Sequence, residues 1–261
     1  MIKKTPVLSV PFLIVSWKPD AGEVGWNVFE YLSNQLQCEE FAEIEPLGFF
    51  PLNEVQIAND LVQFPEAKFY AYEEKDFVFF KSYQPTLKIY KFLNSFLDLA
   101  ENLKVKEIYT IGGLISTVAH TKERKIYTVV NTPYLKEEIG NYPLQTNLSH
   151  EGPTSMSGFL LWMAMKRYIP GISFWVDVPF YLSGRVDPKA TKTILEFLKA
   201  RFKLSIDLKL LDQEIEKQEE KIALLNTQNP EIGEYMAKLE NNVNLAQEEM
   251  DKIINAIENY L

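Results

Sequence analysis

Apolar positions along the chain switch repeatedly between two periods, and that switching predicts alternating strands and helices. A continuous apolar run over residues 7–17 reads as a buried first strand. Residues 21–37 follow a helical period, with Val24, Val28, Tyr31, Leu32 and Leu36 on one side. A short strand is expected at 44–47. Residues 68–72 and 77–81 flank the acidic turn Glu73-Glu74-Lys75-Asp76 and predict a hairpin. Over 86–103, Ile89, Leu93, Phe96, Leu97 and Ala100 recur at three and four, a helix. Residues 105–111 form a β-rich run ending at Gly112-Gly113, and 126–131 form another. Residues 132–157 hold turn formers and little periodicity. A helix over 157–168 stops before Pro170-Gly171, a strand over 173–178 is bounded by Pro179, and Asp187-Pro188 open a last body helix as N-cap and first helical residue. Continuous apolar strands between amphipathic helices predict an α/β layered domain with a largely buried, mainly parallel mixed sheet.

The last quarter of the chain is patterned differently. Leu204, Leu208, Leu211, Ile215, Gln218, Ile222 and Leu225 step alternately by four and three. Ile232, Met236, Leu239, Val243, Ala246, Met250, Ile253, Ile257 and Tyr260 do the same. Both are heptad seams, and the short connection around Asn229-Pro230 predicts an antiparallel, coiled-coil-like helical hairpin. Gln218 is the polar member that would set its register. At 1.5 Å rise, arms of about 20 residues project roughly 30 Å. The expected domains are an α/β body over 1–205 and a helical hairpin over 206–261.

Charge sharpens this division. The chain has 261 residues and a net charge of −9. Residues 1–205 carry 22 Lys+Arg and 23 Asp+Glu, whereas 206–261 carry 5 and 13, so −8 belongs to the hairpin. The hairpin is therefore solvated and would favour a basic surface if it docks. Seventeen Phe, 13 Tyr and 4 Trp supply too much apolar area for a disordered chain. No basic stripe offsets the acidic balance, which argues against nucleic acid as a partner. Cys38 alone excludes an intrachain disulfide and fits a reducing compartment. No 18-residue apolar run exists for a bilayer span. Two lysines before an apolar stretch make the start look briefly like a signal peptide, but Pro6 and Pro11 interrupt it and no small-residue cleavage site follows. A cytoplasmic protein, without a membrane partner, is expected.

Three segments together resemble the proteasome assembly chaperone 2 family. Trp17-Lys-Pro-Asp-Ala-Gly-Glu-Val-Gly25 resembles the family's opening motif. Gly152-Pro-Thr-Ser-Met-Ser-Gly-Phe159 resembles its helix start. Val178-Pro-Phe-Tyr181 followed by Asp187-Pro188-Lys-Ala190 resembles its third segment, with Phe180 where His is usual. The resemblance spans about residues 5–203. It implies a three-layer body similar in architecture to nucleoside phosphorylases, and homo-oligomers among prokaryotic members, some with a C-terminal helical extension. Certain relatives bind the proteasome core particle through a C-terminal hydrophobic–tyrosine–any-residue motif. Here the last three residues are Asn259, Tyr260 and Leu261, with Asn in the hydrophobic place. Tyr260 is equally the last member of its heptad seam.

Candidate chemistry is sparse. Gly112-Gly113 after a strand brings backbone amides to where an anion would bind, yet it is neither a dinucleotide fingerprint nor a P-loop. Thr154, Ser155 and Ser157 precede a helix whose free amides suit phosphate or carboxylate, and they are also ordinary N-caps. Asp20 and Asp177 are each candidates for a base, and Asp20, preceding a helix, reads better as its cap at the positive end. Asp177, in an apolar strand, needs a partner, with Arg185 near in sequence. His120, His150 and Cys38 have no metal-ligand spacing. Ser155, His150 and Glu151 lack the elbow motif that presents a catalytic serine. No metal and no cofactor is expected.

Two functions follow. The first is a non-enzymatic, homo-oligomeric interaction protein with a proteasome core particle as the implied partner. The second is a small-molecule enzyme on a phosphorylase-like body, or an ATP-dependent carboxylate–amine ligase, with an anion site at Gly113 and Thr154. Polar groups converging on a deep pocket at Asp20, Gly113 and Thr154 would favour the enzyme.

Overall fold

The strands are β1 (Phe12–Lys18), β2 (Glu39–Glu43), β3 (Gln56–Ala58), β4 (Leu61–Gln63), β5 (Ala67–Tyr72), β6 (Phe77–Tyr83), β7 (Glu107–Ser116), β8 (Ile126–Val130) and β9 (Gly171–Pro179). The helices are α1 (Val24–Leu36), α2 (Ile89–Asn102), α3 (Pro133–Ile139), α4 (Met156–Lys166), α5 (Pro188–Phe202), α6 (Lys209–Gln228), α7 (Pro230–Glu240) and α8 (Gln247–Tyr260). This computed structural model describes residues 2–58, 60–146 and 155–261. Seven strands form one mixed, mostly parallel sheet in the order β2-β5-β6-β1-β7-β9-β8, an α/β fold, and β3-β4 form a separate ribbon. β1 runs parallel to both β6 and β7, while β5 is antiparallel to β6 and β2.

By their contacts the described residues form two compact units. The first comprises Met1–Pro19, Phe29–Ile111 and Thr128–Phe174; the second comprises Asp20–Val28, Gly112–Tyr127 and Trp175–Leu261. The core of the first is aromatic. Phe69 lies 4.4 Å from Phe80 and 5.6 Å from Phe96, and Trp17 meets Phe80 edge-on at 5.6 Å. Leu93, Leu97 and Ala100 of α2 and Leu160, Leu161 and Ala164 of α4 close over them. Each such aromatic contributes about 1.5–3 kcal/mol by burial. Arg167 ties α4 to α2 through Asp98 at 2.6 Å and Glu101 at 2.9 Å.

The elements depart from expectation where local chemistry overrides pattern. The first strand starts at Phe12 rather than residue 7, and Val7 is 81% exposed. Pro6 and Pro11 have no N–H for a ladder, and the amides of Val7 and Ser9 donate instead to Glu73 and Asp76 carboxylates. The strand expected at 44–47 lies at Glu39–Glu43, where three glutamates conceal it; Lys4 pairs with Glu39 at 2.7 Å. β7 runs through Gly112-Gly113 to Ser116 instead of ending before them. The short helix α3 and the β3-β4 ribbon are additions.

In the second unit, α6 and α7 make the expected antiparallel pair, with Asn229 Oδ1 accepting the Ile232 amide at 3.5 Å and Pro230 in the first turn. Leu211, Ile222, Leu225, Ile232, Met236 and Leu239 are buried seam positions. The second arm is two helices, not one. Asn241 and Asn242 are weak helix formers, Asn242 takes a left-handed φ of 56°, and the chain turns. Glu249 then accepts the Ala246 amide at 2.8 Å and starts α8. The ion pairs Lys238–Glu249 at 2.5 Å and Lys252–Glu231 at 2.7 Å align α8 antiparallel to α7. Val243 and Ala246, expected in the seam, are exposed in the break. Gln218 donates to the Val186 carbonyl at 2.9 Å rather than setting a helix register.

Candidate functional site

Asp20 stands at the entry to a 3-10 turn, Ala21–Glu23, which leads directly into α1. Its Oδ2 accepts the Gly25 amide at 2.7 Å, so it caps the helix start as the sequence predicts. Its Oδ1 accepts the Gly113 amide, also at 2.7 Å. Burial pushes the carboxyl up to about 6, against the pull of the Gly113, Gly25 and Ala21 amides. A β-carbon on Gly113 would lie 2.1 Å from the Ala21 carbonyl oxygen, so only glycine admits this backbone approach. Gly112 is held less tightly, against Asp20 and the Trp175 ring.

Gly22 extends the same junction. Its φ is +66°, and a β-carbon there would press on Val178 at 3.0 Å and Asp187 at 3.2 Å. The Gly22 amide donates to Ser183 O at 2.9 Å, and its carbonyl accepts the Asp187 amide at 3.0 Å. Two segments that carry the family resemblance, 17–25 and 178–190, therefore meet here backbone to backbone. Asp187 itself caps α5 by accepting the Ala190 amide at 3.0 Å. Its other oxygen receives Arg124 Nε and Nη2, both at 3.1 Å. The two side chains are 0% and 1% exposed.

Arg124 also donates to the carbonyls of Ala119 at 3.1 Å and Lys122 at 2.9 Å, fixing the loop before β8. Asp177 accepts the Lys125 amide at 2.6 Å. Burial raises its carboxyl, with Arg124 and Lys125 opposing that rise. Arg185, expected as its partner, donates instead to the Glu258 carbonyl at 2.6 Å, holding the end of α8. The His120 amide donates to the Tyr181 hydroxyl at 2.7 Å, and the ring Nδ1 lies 3.0 Å from that oxygen. Burial lowers the His120 ring to about 4 and raises Tyr181 above the ordinary tyrosine range. Lys189 links the His120 carbonyl at 2.7 Å to Glu219 on α6.

The remaining sequence candidates lie elsewhere. Ser155 caps α4, its Oγ accepting the Gly158 amide at 3.4 Å, and Ser157 is buried; both belong to the first unit. Thr154, His150 and Glu151 lie outside the described residues. Asn259 and Tyr260 close α8; Asn259 is exposed, and Tyr260 and Leu261 are half-buried. Leu261 lines a surface depression with Arg185, Lys217 and Lys221. Arg124 and Lys189 escape the sequence reading, because a Lys-Glu-Arg-Lys run and a lysine in a first helical turn both look solvated.

A carboxyl titrating near 6 is tuned for proton transfer at neutral pH. Here, however, both oxygens receive backbone amides, and the approach to Gly113 is filled by the Ala21 carbonyl. The arrangement joins β7 to the start of α1. Among the described residues no group of three His, Cys, Asp or Glu side chains is placed to hold a metal ion. No described helix is long and apolar enough to cross a membrane.

The family model described as PAC2 family matches residues 13–226. No curated protein matches the chain. Among solved structures, the chain is similar to PbaB of Pyrococcus furiosus, an archaeal proteasome activator, with a TM-score of 0.74 and 22% identity over 87% of this chain and 97% of that one. It is similar to a proteasome-assembly chaperone homologue of Mycobacterium tuberculosis, TM-score 0.71 and 20% identity over 81% and 94%. It is also similar to PbaA of Pyrococcus furiosus, an archaeal homologue of proteasome-assembly chaperone, TM-score 0.69 and 18% identity over 94% and 99%. At these identities the likeness is one of fold.

Proposed function

This chain belongs to the PAC2 family, and from that membership we propose that it is a non-enzymatic interaction protein of the cytoplasm that self-associates and binds a proteasome core particle through Asn259, Tyr260 and Leu261. The observation that carries the non-enzymatic reading is the closed pairing of Asp20 with the Gly113 and Gly25 amides. The Gly113 amide and Asp20, two of the groups a phosphorylase-like or ligase-like enzyme would turn to an anionic substrate, are paired with the backbone and each other there. The names of the similar structures, a proteasome activator and proteasome-assembly chaperone homologues, support the choice of partner.

The acidic segment 206–261 supplies the recognition element in this reading. Its net charge of −8 favours a basic receptor surface, and its last helix delivers the terminal residues. The test is a pull-down with purified core particle from the source organism, using the full chain and a chain lacking residues 259–261. Capture of the full chain, lost on truncation, supports the reading. Failure of the full chain to bind removes it.

A further inference from the structure

One edge of the seven-stranded sheet is β2, in the first unit, and the chain lays its own early residues along it. Ile2 pairs antiparallel with Ala42, and the Lys3 and Lys4 amides donate to the Phe41 carbonyl at 2.7 and 3.2 Å. The side chains follow the same antiparallel order. Lys4 meets Glu39 at 2.7 Å, and Lys3 meets Glu40 and, at 3.1 Å, Glu43. Past this point the segment leaves the strand, the Val7 and Ser9 amides going to the Glu73 and Asp76 carboxylates. An extended apolar–basic–basic stretch is thus seated on an acidic strand edge as an added strand would be.

The seat is larger than its occupant. Beside Ile2 lies a cavity of about 510 Å³, lined among others by Ile44, Phe49, Phe69 and Leu99. Ile44, Phe49 and Phe69 are buried, whereas Ile2 is 61% exposed, so its side chain borders this apolar space without filling it. The cover is also lightly held. Residues 2–5 are exposed, and ion pairs between exposed side chains contribute little. With the segment displaced, Glu39, Glu40 and Glu43 line an open strand edge, a template for another strand. Lys68, behind them, lies closer to Glu66 at 2.8 Å than to Glu40 at 3.7 Å.

We propose that the β2 edge and its cavity form a strand-addition site for an extended segment of another protein in which an apolar residue precedes two basic ones, residues 2–4 being the built-in competitor it displaces. The partner's backbone pairs with β2, and its basic side chains replace Lys3 and Lys4 on the three glutamates. Its apolar side chain, at the place of Ile2, enters the cavity. The charge of the edge selects the partner, and the chain's own segment shows the mode of docking. The site belongs to the first unit, whereas residues 259–261 belong to the second, and it does not rest on their role.

The test is fluorescence anisotropy with a labelled synthetic peptide of residues 2–10. It is titrated with the full chain and with a full-length Lys3→Glu/Lys4→Glu variant whose folding is checked by circular dichroism. The variant frees its own edge, so it is expected to bind the peptide about 10-fold or more tighter than wild type does. Rising salt weakens that complex. A peptide with both lysines replaced by glutamate is expected not to bind, and an Ile2→Phe peptide to bind a few-fold tighter. A second readout needs no variant: under excess peptide, amide NMR signals of wild-type residues 39–43 shift, and those of Lys3 and Lys4 move to random-coil positions. A folded variant that takes up no peptide, a glutamate peptide that binds as well, or signals at 39–43 that stay in place overturns the assignment. A wild-type dimer that the peptide dissociates gives the edge to residues 2–4 of a second copy and overturns the choice of partner.

Discussion

The Gly113 amide donates to Asp20 Oδ1 at 2.7 Å, and the same carboxylate takes the Gly25 amide at 2.7 Å through its other oxygen. One short acid thereby satisfies a helix N-terminal amide and a strand amide 93 residues away in sequence. With Gly22 laid against Val178 and Asp187, the Asp-Ala-Gly segment, the Gly-Gly pair and the segment after β9 meet at one junction.

Asp20→Asn tests the charge and the acceptor count together. Its side-chain amide can accept through only one atom, so either Gly25 or Gly113 is left facing a donor, and a loss of about 1–3 kcal/mol is expected. The pH dependence follows from a folded pKa of about 6, above the ordinary value near 3.9. The folded state holds this proton more tightly, so the stability Asp20 contributes is full below about pH 4 and is lost as pH rises through about 6. Urea titrations of wild type and variant between pH 4 and 7 measure the missing slope.

Gly113→Ala places a methyl group 2.1 Å from a carbonyl oxygen of the backbone, which no rotamer relieves. A loss above about 3 kcal/mol, or failure to accumulate folded protein, is expected. Gly184→Ala, where no atom lies within 4 Å, should melt within a degree or two of wild type. Parallel thermal melts of the two variants make the comparison.

α1, α2, α4, α5 and α6 and most strands of the sheet were legible in the sequence, because their apolar positions carry the correct period, whereas α3 falls in a stretch of turn formers. Asp187-Pro188 marked the start of α5, and Asn229-Pro230 marked the start of α7. The asparagine break within the second acidic arm was not legible, since the heptad steps continue through residues 241–246 unchanged. Of the site, Asp20 as a cap could be read locally, whereas its bond to Gly113 depends on where β7 lies. The burial of Arg124 left no local trace, because desolvation of a charge is a tertiary property. The motifs at 17–25 and 178–190 mark two of the segments that meet at the junction, whereas their contact with each other and with Gly113 depends on the tertiary fold.

Arg124→Met removes the cation from a fully buried pair and strands the Asp187 carboxylate. A loss of about 3–5 kcal/mol is expected, because the residual charge stays desolvated. Lys122→Met, two residues away on an exposed side chain, should cost less than about 0.5 kcal/mol. Chemical denaturation midpoints at fixed pH distinguish the two.

His120 should remain neutral well below the ordinary histidine range, with a ring titration near pH 4. Its folded pKa lies below the unfolded value near 6.5, so the unfolded chain binds the proton first. The stability it contributes is present above about pH 6.5 and lost as pH falls toward 4. That slope opposes the one from Asp20, and Asp20→Asn should make the protein more acid-labile. NMR titration of the ring protons reads His120 directly; a midpoint near 6.5 would contradict the buried, neutral ring.

On the function proposed above, this chain acts by binding protein rather than by transforming a small molecule. The most direct measurement is analytical ultracentrifugation of the full chain mixed with purified proteasome core particle over a range of salt concentrations. The chain is expected to co-sediment with the core particle, Tyr260→Ala to abolish the fast-moving complex, and rising salt to weaken it because the docking segment carries −8. A chain that sediments at its own rate at every concentration and salt would contradict that function.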